Sequence, residues 1–450
     1  MTFTRRTLLR LAATATVAPM LPGCPGAEKD DTGTPTGDTG TPERSAEPPA
    51  WAAPGTEDAA AFPSALLVGD ATTSSAVVAI RTSETALTLV VMEAQGGGWV
   101  ELERTPVTGA DGGAIVHLDG LSTDTAYALV VYADETRRSA VTRLRTAASA
   151  RRIVQFGATS CLGDAEPTFP SLGFVAPDAL DFFLLLGDTV YADAAVTLEQ
   201  YRAYWNTALA TPTVRAAFAS TSLVATWDDH EVANNWSWGG IDEAQYAAAL
   251  TAFRESLPQG VGPTGGIWRT LSWGETLDLF VLDCRSERLD GHYISPAQMS
   301  WLQEGLAAST ARFKIILNSV PITNLTPLFN DAQIEDRWDG YPKDRAAILD
   351  TIQDHGIAGV LWITGDVHFG AVTHVDPTDG VAEAAWEVFV GPAGSTPNAL
   401  VELFPEDAQF TFLTSAWSWT RFTCDPGAGT VRVEFIGDDG AVFHDVTLAL

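Results

Sequence analysis

The hydrophobic pattern changes character part-way along the chain. Between Phe62 and Ala147 lie six short runs: "SSAVVAIRT", "ALTLVVMEA", "GGWVELERT", "GAIVHLDGL", "TAYALVVYA" and "SAVTRLRTA". They alternate apolar with polar positions between regularly spaced turns, the pattern of a β-sandwich. From Arg151 the alternation is lost: "RIVQFGA", "DFFLLLGD", "TSLVATWDD", "TLDLFVLD", "RFKIILNS", "GVLWITGD" and "AAWEVFVG" are almost wholly apolar. Such strands belong in a sheet covered on both faces, and "TLEQYRAYWNTAL" and "IDEAQYAAALTAFRESL" between them have helical spacing. The closing "GTVRVEFIGDDGAVFHDVTLAL" predicts an antiparallel hairpin. The expected fold is α/β, a mixed β-sheet sandwich flanked by helices over residues 149–450. A small β-sandwich over residues 61–148 precedes it.

The N-terminal segment follows neither pattern. Adjacent Arg5 and Arg6, a short apolar run from Leu8 to Met20, then Leu21, Pro22, Gly23 and Cys24 stand in sequence. The run is too short to span a bilayer, so residues 1–23 read as an export signal. The arginine pair resembles a twin-arginine signal, and the last four residues resemble a lipobox whose Cys24 becomes the lipidated terminus. The alternative is an ordinary cleaved signal with an incidental cysteine. The Pro/Gly/Thr/Asp-rich stretch over residues 24–60 reads as a disordered tether. Together these predict an exported lipoprotein, anchored to a membrane and facing the periplasm or the cell surface.

Composition narrows the partners. Fifty-seven acids against 26 bases give a net charge of -31. That surface excludes nucleic acid as a stable partner and attraction to anionic lipid through charge. The 450 residues are more than one ordinary core needs, which supports the two folded units. With Cys24 set aside, Cys161, Cys284 and Cys424 are an odd number, so at least one is unpaired within the chain.

The candidate chemistry sits where the apolar strands stop. One ends at "GATSC" with Cys161, one at "GDTVY" with Asp188 and Tyr191. A third ends at "WDDHEVANNW" with Asp228, Asp229, His230, Asn234 and Asn235, and a later one at "TGDVHFGAVTH" with Asp366, His368 and His374. Ligands of open α/β sheets bind outside the carboxyl ends of the strands, so these tips are expected to converge. Thiolate, phenolate, imidazole and carboxylate donors in one place predict two unlike metals. Cys161, Tyr191 and His368 suit ferric iron, which is polarising enough to hold an ionised thiol and phenol. Asp229, an asparagine and Asp366 offer hard oxygen for calcium, magnesium or manganese, and Asp188 is placed to bridge. Two such ions can clamp a phosphate between them.

Taken in order, Gly-Asp-x-x-Tyr, Trp-Asp-Asp-His-Glu and Gly-Asp-Val-His resemble the PhoD-like alkaline phosphatases and phosphodiesterases of the metallophosphoesterase group. The resemblance runs from about Phe62 to Leu450, because a small β-domain before the catalytic one is also a family trait. Within that first domain "LDGLSTDTAYALVVYA" resembles the late strands of a fibronectin type III-like sandwich, with Tyr127 entering the strand. The resemblance implies iron on Cys161, Asp188, Tyr191 and His368, with Asp188 bridging. It implies calcium on Asp229, Asp366 and either Asn234 or Asn235. His230 would face the phosphate as transition-state stabiliser or leaving-group acid, and a metal-bound hydroxide would attack phosphorus. "LDCRSERLDG" matches an arginine-rich family segment, so Arg285 or Arg288 would contact phosphate or else form an ion pair. Magnesium or manganese would be the alternative second ion.

The implied protein is an exported, monomeric hydrolase of phosphate mono- or diesters. Its rivals are a non-catalytic binding lipoprotein on the same fold and a purple acid phosphatase-like dinuclear enzyme. Two departures, the short span between Asp188 and the Trp-Asp-Asp-His run and the extra Cys284, bear on the substrate pocket. Trp227, Trp236 and Trp238 are expected in the core, and His117, His292, His355 and His444 as structural or surface residues. His374 is a candidate for the layer behind the ligands.

Overall fold

The computed structural model describes residues 43–163, 165–289, 291–329, 333–376, 385–404 and 408–450. The expected export signal, Cys24 and the tether as far as residue 42 lie outside the described residues. From residue 43 to residue 60 the chain, read above as the end of the tether, makes defined contacts. Arg44 donates to Ala179 O, Ser45 Oγ donates to Asp124, and Trp99 Nε1 donates to Pro49 O. Thr56–Glu57 pairs with Arg137–Arg138. Side chains of the first β-layer, among them Trp99, Tyr132, Arg138 and Arg145, donate to its free carbonyls.

Two sheets build the larger part. The nine-stranded sheet carries Val154–Thr159, Phe182–Leu186 and Ser222–Thr226 as parallel neighbours. The seven-stranded sheet carries Leu277–Val281, Phe313–Leu317, Val360–Thr364 and Trp386–Val390, again parallel. Side chains alternate along each strand. Phe182, Leu184 and Leu186 meet Leu279, Ile315 and Ile363 in the core between the sheets. Phe183 and Leu185 turn outward onto the helices Leu198–Ala210 and Pro212–Ala219, while Phe280 and Trp362 turn onto Pro296–Ala308 and Pro342–Asp354. Every side chain of Phe182–Leu186 is therefore buried, and the run reads as continuously apolar. The predicted final hairpin is Thr430–Gly437 with Val442–Ala449.

The N-terminal strands divide between two sheets. Ala86–Gln95, Gly98–Thr108, Ala126–Tyr132 and Thr142–Arg145 belong to a six-stranded sheet. Leu67–Gly69, Ser75–Arg81 and Gly113–Asp119 instead continue the nine-stranded sheet, with Leu67–Gly69 parallel to Ser222–Thr226. A Cβ at Gly69 would fall 2.5 Å from Leu223 O, so the junction needs glycine. Asp70 follows, accepting from the Arg269 guanidinium at 2.6 and 2.7 Å. The Tyr127 hydroxyl accepts from Ser122 N–H at 2.7 Å, five residues upstream, a tyrosine corner.

Candidate metal centre

The seven parallel strands that follow residue 150 point their carboxyl ends to one edge of the sandwich, and the predicted donors gather there. Cys161 follows Val154–Thr159, Asp188 follows Phe182–Leu186, Asp228 and Asp229 follow Ser222–Thr226, and Asp366 and His368 follow Val360–Thr364. Cys161 Sγ lies 3.6 Å from Asp188 Oδ2, Tyr191 Oη 3.4 Å from the same oxygen, and Tyr191 Oη 3.0 Å from His368 Nε2. Cys161, Asp188 and His368 present donor atoms all within 4.8 Å of one another. So do Asp188, Asp229 and His230, and so do Asp228, Asp229 and Asp366. Asp188 and Asp229 link the three groups into one centre.

Backbone geometry explains the repeated Gly-Asp. A Cβ on Gly187 would stand 2.5 Å from Asp228 Cβ, and one on Gly365 would stand 2.5 Å from Ser160 Cβ. Glycine in both places lets neighbouring tips approach closely. Of the eleven non-glycine residues with positive φ among those described, five are candidate donors: Cys161, Asp188, Asn235, Asp366 and His368. Such conformations cost energy and persist where the surroundings impose them, which at this density marks a functional site.

A framework behind the donors holds them. The fully buried Glu231 carboxylate accepts from Asp188 N–H at 3.0 Å, Thr189 N–H at 2.6 Å and Asp228 N–H at 2.8 Å, tying two strand tips together. Asp193 accepts or shares a proton with His230 Nδ1 at 2.8 Å and accepts Asn234 N–H at 2.6 Å. The Tyr191 ring stacks on His230 at 3.9 Å. His368 Nδ1 lies 3.0 Å from Thr396 O, which leaves Nε2 for the centre.

The two asparagines part company. Asn234 meets the framework through its backbone N–H, whereas Asn235 N–H donates to Asp229 Oδ2 and its side chain reaches the centre. One terminal atom of the Asn235 amide lies 3.2 Å from Asp229 Oδ2 and 3.1 Å from Asp336 Oδ2. As an NH2 it donates to both carboxylates; as an oxygen it would share a cation with them.

Arg285 and Arg288 lie within the acids. Arg285, wholly buried, pairs with Asp228, with Asp336 at 2.5 Å, with Asp366 at 3.4 Å and with Asp229 at 3.7 Å. Arg288 pairs with Asp336 at 2.7 Å and donates to Trp236 O. Of the two roles open to them in the sequence, their surroundings match the ion pair. Trp227 and Trp236 are core residues, packed with Tyr246 and, for Trp227, Phe253. His374 lies tilted against the Trp386 ring at 3.8 Å and is not among the donors the centre brings together. Cys161, Cys284 and Cys424 are all free and buried.

Do these residues fit cations? Asp188, Asp228, Asp229, Glu231, Asp336 and Asp366 set six carboxyls against the guanidiniums of Arg285 and Arg288. Burial, then the charges of Asp229 and Asp228, hold the Asp188 carboxyl well above its ordinary range. Burial, then Asp228, does the same to Asp366, against the opposing pull of Arg285. Burial and the neighbouring Asp188 raise the Cys161 thiol and the Tyr191 phenol. Asp188 Oδ1 and Asp228 Oδ2 are buried without any hydrogen-bond partner among the described residues. Orphaned carboxylate oxygens in so acidic a cavity are costly as they stand and are satisfied by cations. The donors fit metal ions.

Glu231, Asp193, Asp336 and Ser395 were not singled out for this role in the sequence. Glu231 and Asp193 were legible, being three residues after Asp228 and two after Tyr191. Asp336, at the end of the short 3-10 helix Ile334–Asp336, and Ser395, in a loop, are joined to the rest by no motif.

Comparison with known proteins gives a family and a fold. The family model described as PhoD-like phosphatase matches residues 156–433. Alkaline phosphatase D of Bacillus subtilis (strain 168) is 26% identical over 278 residues, covering 49% of this chain and 47% of that protein. The chain thus spans about half the length of that relative. Among solved structures, one titled "Structure of PhoD" superposes with a TM-score of 0.75 at 20% identity, covering 86% of this chain and 89% of that one. A purple acid phosphatase from yellow lupin (Lupinus luteus) gives 0.62 at 12% identity, covering 86% and 75%. At those identities the structures speak for the fold, a mixed α/β sheet sandwich. The family match is longer than half the chain and takes in every donor of the centre: the chain belongs to the PhoD-like phosphatase family.

Proposed function

We propose that the protein hydrolyses phosphate esters at this centre. The observation that carries the reading is Asp188, whose carboxylate joins a Cys161–Tyr191–His368 group to an Asp229-containing group and keeps one oxygen without a hydrogen-bond partner among the described residues. Cys161, Asp188, Tyr191 and His368 would hold iron; Asp229, Asp366 and Asn235 would hold calcium, or else magnesium or manganese. Bound there, the cations supply Lewis acidity toward phosphoryl oxygens and lower the pKa of water.

The protein's own groups do the rest. Arg285 balances part of the acidic charge and fixes Asp228, Asp229 and Asp366 in place. Asp193 holds His230 by Nδ1, so Nε2 faces away from it and is free to donate a proton to the departing alcohol oxygen. Burial pulls the His230 pKa down, but the Asp193 hydrogen bond and the charge of Asp229 outweigh it and the net shift is upward. A raised pKa favours the proton-donor form. Export and lipidation at Cys24 belong to the same proposal; a palmitate label lost in Cys24→Ala would support them, and a label retained would remove them.

The test is hydrolysis of a panel of mono- and diesters, including bis-p-nitrophenyl phosphate, with elemental analysis of the purified protein. Turnover by wild type, abolished in Asp188→Asn, with iron beside calcium, is the expected result. A folded, metal-loaded wild type inert to every ester would leave only a binding role. A transition metal in place of calcium would favour the purple acid phosphatase-like alternative.

A further inference from the structure

Ser395 lies in the loop after Trp386–Val390, outside every motif quoted above. It is buried and held from three sides. Its N–H donates to Cys161 O at 3.0 Å, its carbonyl accepts from Trp417 Nε1 at 2.7 Å, and its hydroxyl accepts from Gly163 N–H at 2.9 Å. The same hydroxyl lies 2.5 Å from Tyr191 Oη.

The direction of that last contact follows from counting protons. A serine hydroxyl has one proton to give, and the Gly163 N–H already occupies a lone pair. A tyrosine oxygen that serves as a metal ligand has given up its proton, so the one hydrogen in this contact is the serine's and it points at the phenol oxygen. That oxygen also faces His368 Nε2 at 3.0 Å and Asp188 Oδ2 at 3.4 Å, donors of the same cation site. The fit around Ser395 is close. A Cβ on Gly163 would stand 2.5 Å from Ser395 Oγ and 2.9 Å from Ser395 Cα, so glycine is needed for the hydroxyl to sit where it does.

We propose that Ser395 is a positioning residue: its hydroxyl donates to the Tyr191 oxygen and fixes that oxygen as a metal ligand, with Gly163 fixing the hydroxyl in turn. The proposal rests on the reading of Tyr191 as an iron ligand. A ligand that lies among carboxylates needs a donor opposite the metal to set its orientation, as ligating histidines and carboxylates have.

The experiment compares iron-loaded wild type, Ser395→Ala and Ser395→Thr by visible absorption, resonance Raman spectroscopy and chelator challenge. Wild type is expected to show a phenolate-to-iron charge-transfer band. In Ser395→Ala the phenolate loses a donor and becomes easier to oxidise, so the band moves to longer wavelength. Iron is then lost to chelator about 10- to 100-fold more readily. Ser395→Thr, which keeps the hydroxyl, restores both. The phenolate C–O stretch of wild type shifts in D2O, a reading that needs no variant and decides the matter should Ser395→Ala fail to fold. A band at one wavelength in wild type and Ser395→Ala, or a C–O stretch indifferent to D2O, overturns the role of Ser395 and leaves the iron site standing. A folded wild type that takes up iron without such a band overturns both.

Discussion

His230 and Asp193 form a pair in which the carboxylate reaches the proposed chemistry through the ring, while it also holds the Asn234 N–H. Replacing His230 by alanine is expected to lower kcat by about 10²- to 10⁴-fold, the usual worth of a positioned proton donor. The loss should be larger for alkyl than for p-nitrophenyl leaving groups, because p-nitrophenolate departs without a proton. Asp193→Asn should show the same dependence on leaving group with a smaller loss. Equal losses on both substrate classes would assign the pair to binding. The acids around Arg285 make a second prediction. Chelator should lower the melting temperature and readdition of cations should restore it, with about 4 kcal/mol of stabilisation at a thousandfold excess over Kd. A melting temperature unmoved by chelator would mean that Asp188 and Asp366 are satisfied by protons alone.

At the scale of elements the glycines before Asp188 and Asp366 fix how closely two strand tips approach. Gly187 combines a φ of +90° with a Cβ position 2.5 Å from Asp228 Cβ. Gly187→Ala should destabilise by about 2–4 kcal/mol, the sum of overpacking and left-handed strain. Gly356 has φ +58° with nothing near its Cβ, and Gly356→Ala should cost only about 1 kcal/mol. Urea unfolding of the two variants checks the contrast; similar losses would show that the tips relax apart.

The apolar strands, the terminal hairpin and two of the helices could be read from the chain because periodicity and burial coincide, as in Phe182–Leu186. Donors immediately after such strands were legible for the same reason. Helix Pro342–Asp354 was harder, with only Ile348, Leu349 and Ile352 among its buried apolar residues. Asp336 and Ser395 escaped because only tertiary convergence brings them to the centre.

For the molecule as a whole, one buried acid far from the donors gives a pH dependence. Burial pushes the Glu387 carboxyl up to about 7, while hydrogen bonds from Thr323 and Ile322 pull it down. A carboxyl with a higher pKa folded than unfolded costs nothing while protonated in both states. The penalty grows from the unfolded value near 4.3 through about pH 7 and is full above it, on the order of 3 kcal/mol. Glu387→Gln removes this slope, so its stability relative to wild type should rise between pH 5 and pH 8 in chemical denaturation. A relative stability equal at both pH values would show that Glu387 is ionised in the folded protein across that range.

Because Leu67–Gly69 is hydrogen-bonded alongside Ser222–Thr226, the first β-layer cannot be trimmed away as a dispensable appendage. Its removal would strip the neighbour from the very strand that ends at Asp228 and Asp229. Tension applied at the N-terminal end would load that seam as well. Force, and not only chemistry, can therefore reach the carboxylates.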